Sequence, residues 1–149
     1  MKKILVIGSL NADMVVRVPH IPVAGETILA ETVDMIPGGK GANQAYAAGS
    51  LGAQTVMFGA VGVDRYAEIE KKSLQSVGVD VSRLLVRTDC ATGLAWITVN
   101  DAGDNSIVVV PGANKTLSEK DIADNDDLLH SCDIVLCQME IPVQTVLCV

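Results

Sequence analysis

Three short apolar runs in the chain predict buried β-strands. They are KILVIG at residues 3–8, QTVMFGA at 54–60 and DIVLCQ at 133–138, and each is rich in apolar side chains. Runs of this length without polar alternation are typical of parallel strands that are covered on both faces. Segments with helical character lie between them, and alternating strands and helices favour an α/β fold with a parallel sheet.

Helices are predicted between and after these strands. The alanine-rich segment 41–51 has small side chains that allow close packing against a neighbour. Asp64 is a suitable N-cap for a helix that runs to about Val77. Ser118 can cap an acidic helix, and Pro142 suits the first turn of a last helix.

The remaining strand-like segments have the sequence pattern of antiparallel pairs. Residues 14–18 and 27–33 are strand-like, and prolines and a glycine interrupt the chain between them. A short strand is predicted at 84–86. Residues 94–99 and 106–110 form an evident hairpin, because the turn between them is rich in Asn, Asp and Gly.

Charge and composition narrow the candidate functions. The 149 residues suit one domain, 49% of them are hydrophobic, and the net charge is −7. Basic residues cluster in pairs at most, so we expect no nucleic-acid partner and no membrane-surface partner. The four cysteines show no C-x-x-C spacing, which predicts reduced thiols and a cytoplasmic protein. The acidic residues within 121–127 are expected to form a solvated face rather than a metal site.

The count of elements predicts the first part of a larger fold. About four sheet strands and two antiparallel pairs are visible, and the last helix carries apolar residues up to Val149 without a stop signal. Domains seldom end within an apolar helix. We therefore expect that a C-terminal half is absent from this chain.

The glycine-rich segment PGGKGANQAYAAGSLGA at 37–53 invites a phosphate-binding interpretation. A P-loop needs Ser or Thr after its lysine, but Gly41 follows Lys40. A dinucleotide fingerprint needs a third glycine where Gln44 stands, and no clear strand leads into the segment. Two interpretations remain: a tight turn into a packed helix, and a ligand loop in which the first-turn N–H groups serve as donors.

Polar residues follow the ends of two predicted strands. Asn11 and Asp13 come after the first strand, and Glu140 comes after the strand at 133–138. Ligands of open α/β folds bind beyond the carboxyl ends of the strands. Asn43, in the glycine-rich segment, offers both a donor and an acceptor, which suits sugar hydroxyls at least as well as phosphate. A single aspartate in such a place is commonly a cap, but the convergence of these groups favours a sugar site.

Four segments resemble the ribokinase-like carbohydrate kinase family. They are GSLNAD at 8–13, PGGKGANQA at 37–45, GLAWITVNDAGDNSIVVVPGAN at 93–114 and QMEIP at 138–142. The resemblance covers the whole chain, 1–149, in the family's order. It implies the N-terminal part of a ribokinase-like α/β domain, a parallel-sheet sandwich with a small antiparallel β lid whose strands lie at about 14–36 and 93–110.

The resemblance also implies which residues contact the sugar. The carboxylate of Asp13 would accept hydrogen bonds from two ribose hydroxyls, and Asn43 and the N–H of Gly39 would hold the same face. Ala95 and Ile97 match lid positions that face the sugar, although ordinary sheet packing explains them equally well. The implied contacts are Asn11, Ala12, Asp13, Gly39, Lys40, Gly41, Ala42, Asn43, Glu140, Ala95 and Ile97.

The family resemblance places the chemistry of the reaction in a C-terminal half. That half carries a G-A-G-D segment, whose Asp is the general base and whose N–H groups form an anion hole, together with the sites for ATP, Mg²⁺ and a monovalent cation. The nearest matches here are AAGS at 47–50, inside a helix, and DAGD at 101–104, in the hairpin turn. We expect no catalytic residue, no metal ligand and no cofactor site in this chain, and no kinase activity from it alone.

Three functions remain in competition. The first is a truncated, inactive sugar kinase that keeps a weak ribose-binding surface. The second is an ATP-dependent pentose kinase that becomes active when a separate chain supplies the other half. The third is a non-enzymatic sugar-binding module that dimerises through its lid strands. A homodimer through the lid is expected because it would hide apolar surface.

Overall fold

A three-stranded parallel sheet forms the centre of the computed structural model, which describes residues 2–30 and 32–149. Its strands are β1 (Lys3–Ile7), β4 (Gln54–Phe58) and β9 (Ile134–Cys137), in the order β4-β1-β9. The predicted α/β class and the three predicted core strands are therefore confirmed.

Helices cover both faces of this sheet, because strand residues alternate between two apolar clusters. Leu5 and Ile7 belong to one cluster, and Val6 belongs to the other. The Val6 face packs against α1 (Lys40–Ser50) and α2 (Arg65–Ser76). The opposite face is covered by a 3₁₀ helix (Gly112–Thr116), α3 (Glu119–Ala123), α4 (Asp126–His130) and α5 (Val143–Leu147).

A second, four-stranded sheet, the lid sheet, stands apart from the central one. It consists of β2 (Asn11–Arg17), β3 (Val33–Gly38), β7 (Gly93–Val99) and β8 (Asn105–Val110), in the order β3-β2-β7-β8. The pairs β3–β2 and β7–β8 are antiparallel, whereas β2 and β7 run parallel. A short parallel pair, β5 (Ala60–Gly62) and β6 (Leu85–Arg87), completes the strands.

The predicted strand at 27–33 is wrong for most of its length. Residues 27–30 have no regular structure, Glu31 lies outside the described residues, and β3 begins at Val33. Pairing decides the boundary, since Val33 is opposite Val16 near the end of β2. In this register residues 27–30 would lie opposite positions beyond Arg17, where β2 has already ended, so they have no ladder to join. Apolar alternation alone could not show this.

Three further boundaries differ from the prediction. The strand predicted at 54–60 divides at Gly59, because β5 pairs with β6 instead of β1. The single acidic helix predicted after Ser118 is two short helices, although Ser118 and Asp121 do form the capping box. A strand also leads directly into the glycine-rich segment, since β3 ends at Gly38.

Two other observations concern the whole described chain. No helix within 2–30 or 32–149 has the length and apolar character needed to cross a membrane. The four cysteines are all free, and Cys148 is exposed.

Candidate functional site

The turn between β3 and α1 lies so close to the β1–β2 connection that only glycine fits. Gly39 has φ 87°, a conformation that side chains disfavour. A β-carbon on Gly41 would lie 2.6 Å from the backbone nitrogen of Ser9. The sequence GGKG therefore allows α1 to begin in direct contact with the end of the first strand.

The first-turn N–H groups of α1 are bonded within the protein. The N–H of Lys40 donates to Glu140 Oε2 at 3.1 Å, and that of Gly41 donates to Ser9 Oγ at 3.3 Å. The N–H of Ala42 donates to the carbonyl of Ser9 at 2.9 Å. In this structure the N–H groups of Lys40, Gly41 and Ala42 are therefore not free donors for a ligand, which favours the interpretation of the segment as a tight turn into a packed helix.

Glu140 connects three parts of the chain through its carboxylate. The hydroxyl of Ser9 donates to Glu140 Oε2 at 2.7 Å, and the Lys40 ammonium forms an ion pair with Oε1. Burial alone would raise the pKa of Glu140, but the hydrogen bonds from Lys40 and Ser9 hold it below the usual glutamate value. Glu140 is therefore a charged anchor rather than a group that exchanges protons near neutral pH.

Asn11 is held by a second buried amide. Asn114, which is 2% exposed, donates to Asn11 Oδ1 at 2.8 Å and to the carbonyl of Leu10 at 3.0 Å. Its own Oδ1 accepts from the Leu10 N–H at 3.0 Å. These contacts commit the amide oxygen of Asn11 to Asn114, so the Nδ2 group of Asn11 is the part that can face a ligand.

Asp13 is a half-buried carboxylate with unused acceptor capacity. Its Oδ1 is buried and has no hydrogen-bond partner among the described residues. Burial raises the pKa of Asp13, and the nearby charge of Glu140 raises it further. A buried acceptor without a donor is costly for a folded protein, so this atom is suited to accept a hydrogen bond from a bound hydroxyl.

Register places the lid residues relative to Asp13. Ala95 is directly opposite Asp13, and Ile97 is opposite Val15, so both lie on the same face of the lid sheet as Asp13. Ala12 differs, because alternation along β2 turns its side chain to the opposite face. If Ala12 contacts a ligand on the Asp13 face, it can do so only through its backbone.

Four of the predicted site residues line two clefts, and Asp13, Ala95 and Ile97 line neither of them. One has a volume of about 400 Å³ and is lined by Asn11, Asn114 and Glu140, among others. The other has a volume of about 290 Å³ and is lined by Ala42, Asn43, Tyr46 and Glu70. The structure thus brings the strand ends and the glycine-rich turn together, as the sequence predicts, but it divides their side chains between two openings.

Several residues at the site escaped the sequence reasoning. Ser9, Asn114 and Gln138 lie within the segments that carry the family resemblance, but nothing in the sequence assigned them a contact. Glu70 lies in no such segment. A signal existed for it, since Ala67, Glu70 and Leu74 have the i, i+3, i+7 spacing of a buried helix face.

The structure is an α/β fold with a parallel central sheet and a separate lid sheet. The family model of the pfkB family carbohydrate kinases matches residues 1–148 of this chain. The chain belongs to this family, and the resemblance stated from its motifs is confirmed.

Individual relatives agree with this assignment. Ribokinase from Bacillus subtilis (strain 168) is 43% identical over 146 residues, which are 98% of this chain and 50% of that protein. The structure of Arabidopsis thaliana ribokinase complexed with ribose and ATP superimposes with a TM-score of 0.87 at 34% identity, covering 99% of this chain and 49% of that one. The structure of ribokinase from Thermotoga maritima gives a TM-score of 0.89 at 34% identity, and the match covers 99% of this chain and 48% of that one. The chain spans about half the length of the relatives it matches.

Replacement of Glu140 by Gln tests its role as the anchor of the site. The change removes the ion pair with Lys40 and weakens the contacts to Ser9, so we expect a loss of about 1–3 kcal/mol in the free energy of unfolding at pH 7. Because the folded pKa of Glu140 is lowered, its contribution is present above the unfolded pKa and disappears as the pH falls through the folded value. Urea unfolding of both proteins between pH 7 and about 3 measures this.

Glu68→Gln is the matched control, since Glu68 forms an exposed ion pair with Lys71 on α2. We expect it to change the stability by less than about 0.5 kcal/mol at any pH. Equal losses in the two variants, or a deficit of Glu140→Gln that persists at low pH, would contradict the anchoring role.

Proposed function

We propose that these residues form the sugar-binding half of an ATP-dependent ribokinase-type enzyme. The observation that carries the proposal is the unsatisfied, buried carboxylate oxygen of Asp13, which lies on the face that Ala95 and Ile97 share. Ribose is the proposed sugar because the motifs and the relatives both lead to ribokinases. A cytoplasmic location fits the free thiols.

In this proposal each group has a distinct contact with the sugar. Asp13 accepts hydrogen bonds from two ribose hydroxyls, and Asn11 donates through Nδ2, because its oxygen is bound to Asn114. Asn43 and the backbone of Gly39 contact the same face. Glu140 and Lys40 hold the glycine-rich turn in place through their ion pair. The water-excluding wall comes from Ala95 and Ile97, with ordinary sheet packing as the competing role.

We further propose that the 149 residues alone do not transfer phosphate. ATP and Mg²⁺ do not fit the described residues: the first-turn N–H groups of α1 are already bonded to Ser9 and Glu140, and no three potential ligands from Asp, Glu, His and Cys come together. A general base raises the rate of such a phosphate transfer by about 10²–10⁴-fold, and an anion-hole donor raises it by about 10²–10³-fold.

A kinase completed by a second chain is the alternative, and one observation favours it. β9 is an edge strand of the central sheet. Two large apolar side chains that follow β9 in the chain are exposed: Met139, two residues after the strand, is 72% accessible, and Leu147 in α5 is 80% accessible. A covering segment that carries the ATP site would bury both the strand edge and these side chains.

Ribose binding provides the first test of this proposal. We expect ribose to shift the backbone amide signals of Gly39 and Asn43 in ¹H–¹⁵N spectra, with weak affinity. Asp13→Asn removes a charged acceptor, so it should weaken binding about tenfold or more. Asp104→Asn, in the exposed hairpin turn, is the matched control and should bind like the parent. Loss of affinity in both variants, or in neither, would argue against Asp13 as the sugar acceptor.

Kinase activity provides the second test. In a coupled assay with ATP, Mg²⁺, K⁺ and ribose, we expect the purified chain to give no turnover above background. Addition of the C-terminal half of Bacillus subtilis ribokinase distinguishes the alternative, because activity that appears only in the mixture supports completion by a second chain. Turnover by the chain alone that disappears in Asp13→Asn would overturn the proposed inactivity.

We also propose that the lid sheet mediates a homodimer. All six residues of β8 are exposed, and Trp96 and Val108 are opposite one another on the face away from Asp13, with exposed fractions of 48% and 64%. Burying such a row against a second copy stabilises association by about 25 cal/mol per Å² of apolar area before the cost of association is subtracted.

Val108→Glu places a charge in the centre of this proposed interface. We expect the parent to show a concentration-dependent dimer by light scattering and the variant to be monomeric, with unchanged circular dichroism. Ser50→Glu introduces the same charge at the exposed end of α1 and should leave the dimer intact. A parent that is monomeric at every concentration would contradict the proposal.

A further inference from the structure

Glu70 is a fully buried carboxyl group that the proposed sugar contacts do not use. It lies in the middle of α2 with 0% of its surface exposed. Within 2–30 and 32–149 it is the only ionisable residue among the buried polar ones. Its neighbours on the buried helix face, Ala67 and Leu74, are apolar. A charged residue in such a position is rare unless a specific contact requires it.

One contact of Glu70 leads directly to the glycine-rich turn. Glu70 Oε1 accepts a hydrogen bond from the N–H of Gly38 at 3.2 Å. Its second oxygen, Oε2, is buried and has no partner among the described residues. Glu70 also takes part in no ion pair there. Its single established partner is therefore the residue that ends β3 and precedes Gly39.

Gly38 in turn touches the proposed sugar acceptor. A methyl group on Gly38 would overlap the carboxylate of Asp13, so the two residues are in direct contact. Gly38 is also opposite Asn11 in the β2–β3 ladder. Glu70, Gly38 and Asp13 thus form a continuous series from α2 to the site, and a shift of Gly38 changes the surroundings of Asp13.

The protonation of Glu70 follows from its surroundings. Burial raises the pKa of Glu70 to about 8; the Gly38 hydrogen bond opposes this, and the charge of Asp13 adds to it. Around pH 7 the group is therefore mainly a neutral acid. A neutral carboxyl oxygen can accept from the Gly38 N–H without burying an unpaired charge.

The elements packed against Glu70 supply no cation to stabilise its charged form. β5 carries no ionisable side chain, and the charge that acts on Glu70 is that of Asp13 on β2, which is acidic. Lys40 on α1 is occupied by Glu140. The ionisable groups to consider are Asp13 and Arg17 on β2, Asp34 on β3, Lys40 and Tyr46 on α1, and Arg65, Tyr66, Glu68, Lys71 and Lys72 on α2 itself. Of these, Tyr46 lines the same cleft as Glu70, and Lys71 pairs with Glu68.

We propose that Glu70 is a positioning residue of the sugar site. As a neutral acid it leaves Gly38 in contact with Asp13, and when it ionises at alkaline pH it binds the Gly38 N–H more tightly and repels Asp13, so that the turn shifts away from the sugar acceptor. The inference rests on the proposed function, since Asp13 must receive the sugar. It assigns to Glu70 an effect on the pH range of sugar binding, and no contact with the sugar itself. The physical causes of the shift are the stronger hydrogen bond that a carboxylate accepts from an N–H group and the repulsion between two neighbouring negative charges.

The first experiment measures the coupling without sugar. A ¹³C NMR titration of the glutamate carboxyls should show one group titrating near pH 8, and the Gly38 amide shift should follow the same curve. Glu70→Gln should abolish both. Since the folded pKa is raised, the stability that Glu70 contributes is full below its unfolded pKa and is lost as the pH rises towards the folded value. The melting temperature of Glu70→Gln relative to the parent should therefore increase from about pH 5 to 8.

The second experiment measures ribose affinity from about pH 6.5 to 9.5 by amide shifts. The parent should lose about fivefold in affinity across this range, equivalent to one ordinary hydrogen bond. Glu70→Gln should bind like the parent at the low end and stay constant within about twofold. Glu68→Gln, an exposed change on the same helix, should keep the parent's profile.

The outcomes separate the inference from the proposed function. No ribose binding at any pH would overturn the proposed function, and with it the sugar-site role of Glu70. Ribose binding that depends on Asp13 but has the same pH profile in Glu70→Gln as in the parent would overturn the inference alone. So would a Glu70 carboxyl that titrates near the usual glutamate value, a measurement that needs only the parent protein.

Discussion

The contact between the start of α1 and the end of the first strand is the constraint on which the site depends. Ser9 and Glu140 together bind the N–H groups of Lys40 and Gly41, and the glycines of the turn allow the backbones to approach. Three distant segments meet there: the β1–β2 connection, the glycine-rich turn and the residues after β9. Because each supplies a group that the others need, the turn cannot move without exposing buried donors.

The carboxyl groups around the glycine-rich turn differ in how well their charges are compensated. Three carboxyl groups, Asp13, Glu70 and Glu140, lie around the turn, and the only ion pair formed by any of them in the described ranges is that of Glu140 with Lys40. Glu140 consequently has a lowered pKa, while the pKa values of the other two are raised. The same backbone turn thus separates an anchor that is charged at neutral pH from two groups that gain from an added proton or hydrogen-bond donor.

The sequence was informative wherever one segment determines its own structure. Apolar runs identified β1, β4 and β9, and Asp64 capped α2 as expected. The prediction from sequence failed where pairing with another strand decides the structure. Residues 27–30 alternate like a strand, but they lie beyond the end of β2. At the site, the motif residues were identified from the sequence, whereas the roles of Ser9 and Glu70 were missed. A hydroxyl or a carboxyl acquires its role only from the backbone N–H group that folding brings to it.

The contacts of the site also indicate which elements of the chain organise the proposed sugar surface. Residues of this chain form the hydrogen bonds described above for Asn11, Glu140 and the glycine-rich turn. Binding geometry of this kind costs little to maintain once the turn is packed, since its donors and acceptors are already paired. The proposed sugar surface is therefore organised jointly by β2, α1, the 3₁₀ helix and the residues that follow β1 and β9, whereas β9 is an edge strand and the outer face of the lid sheet exposes apolar side chains.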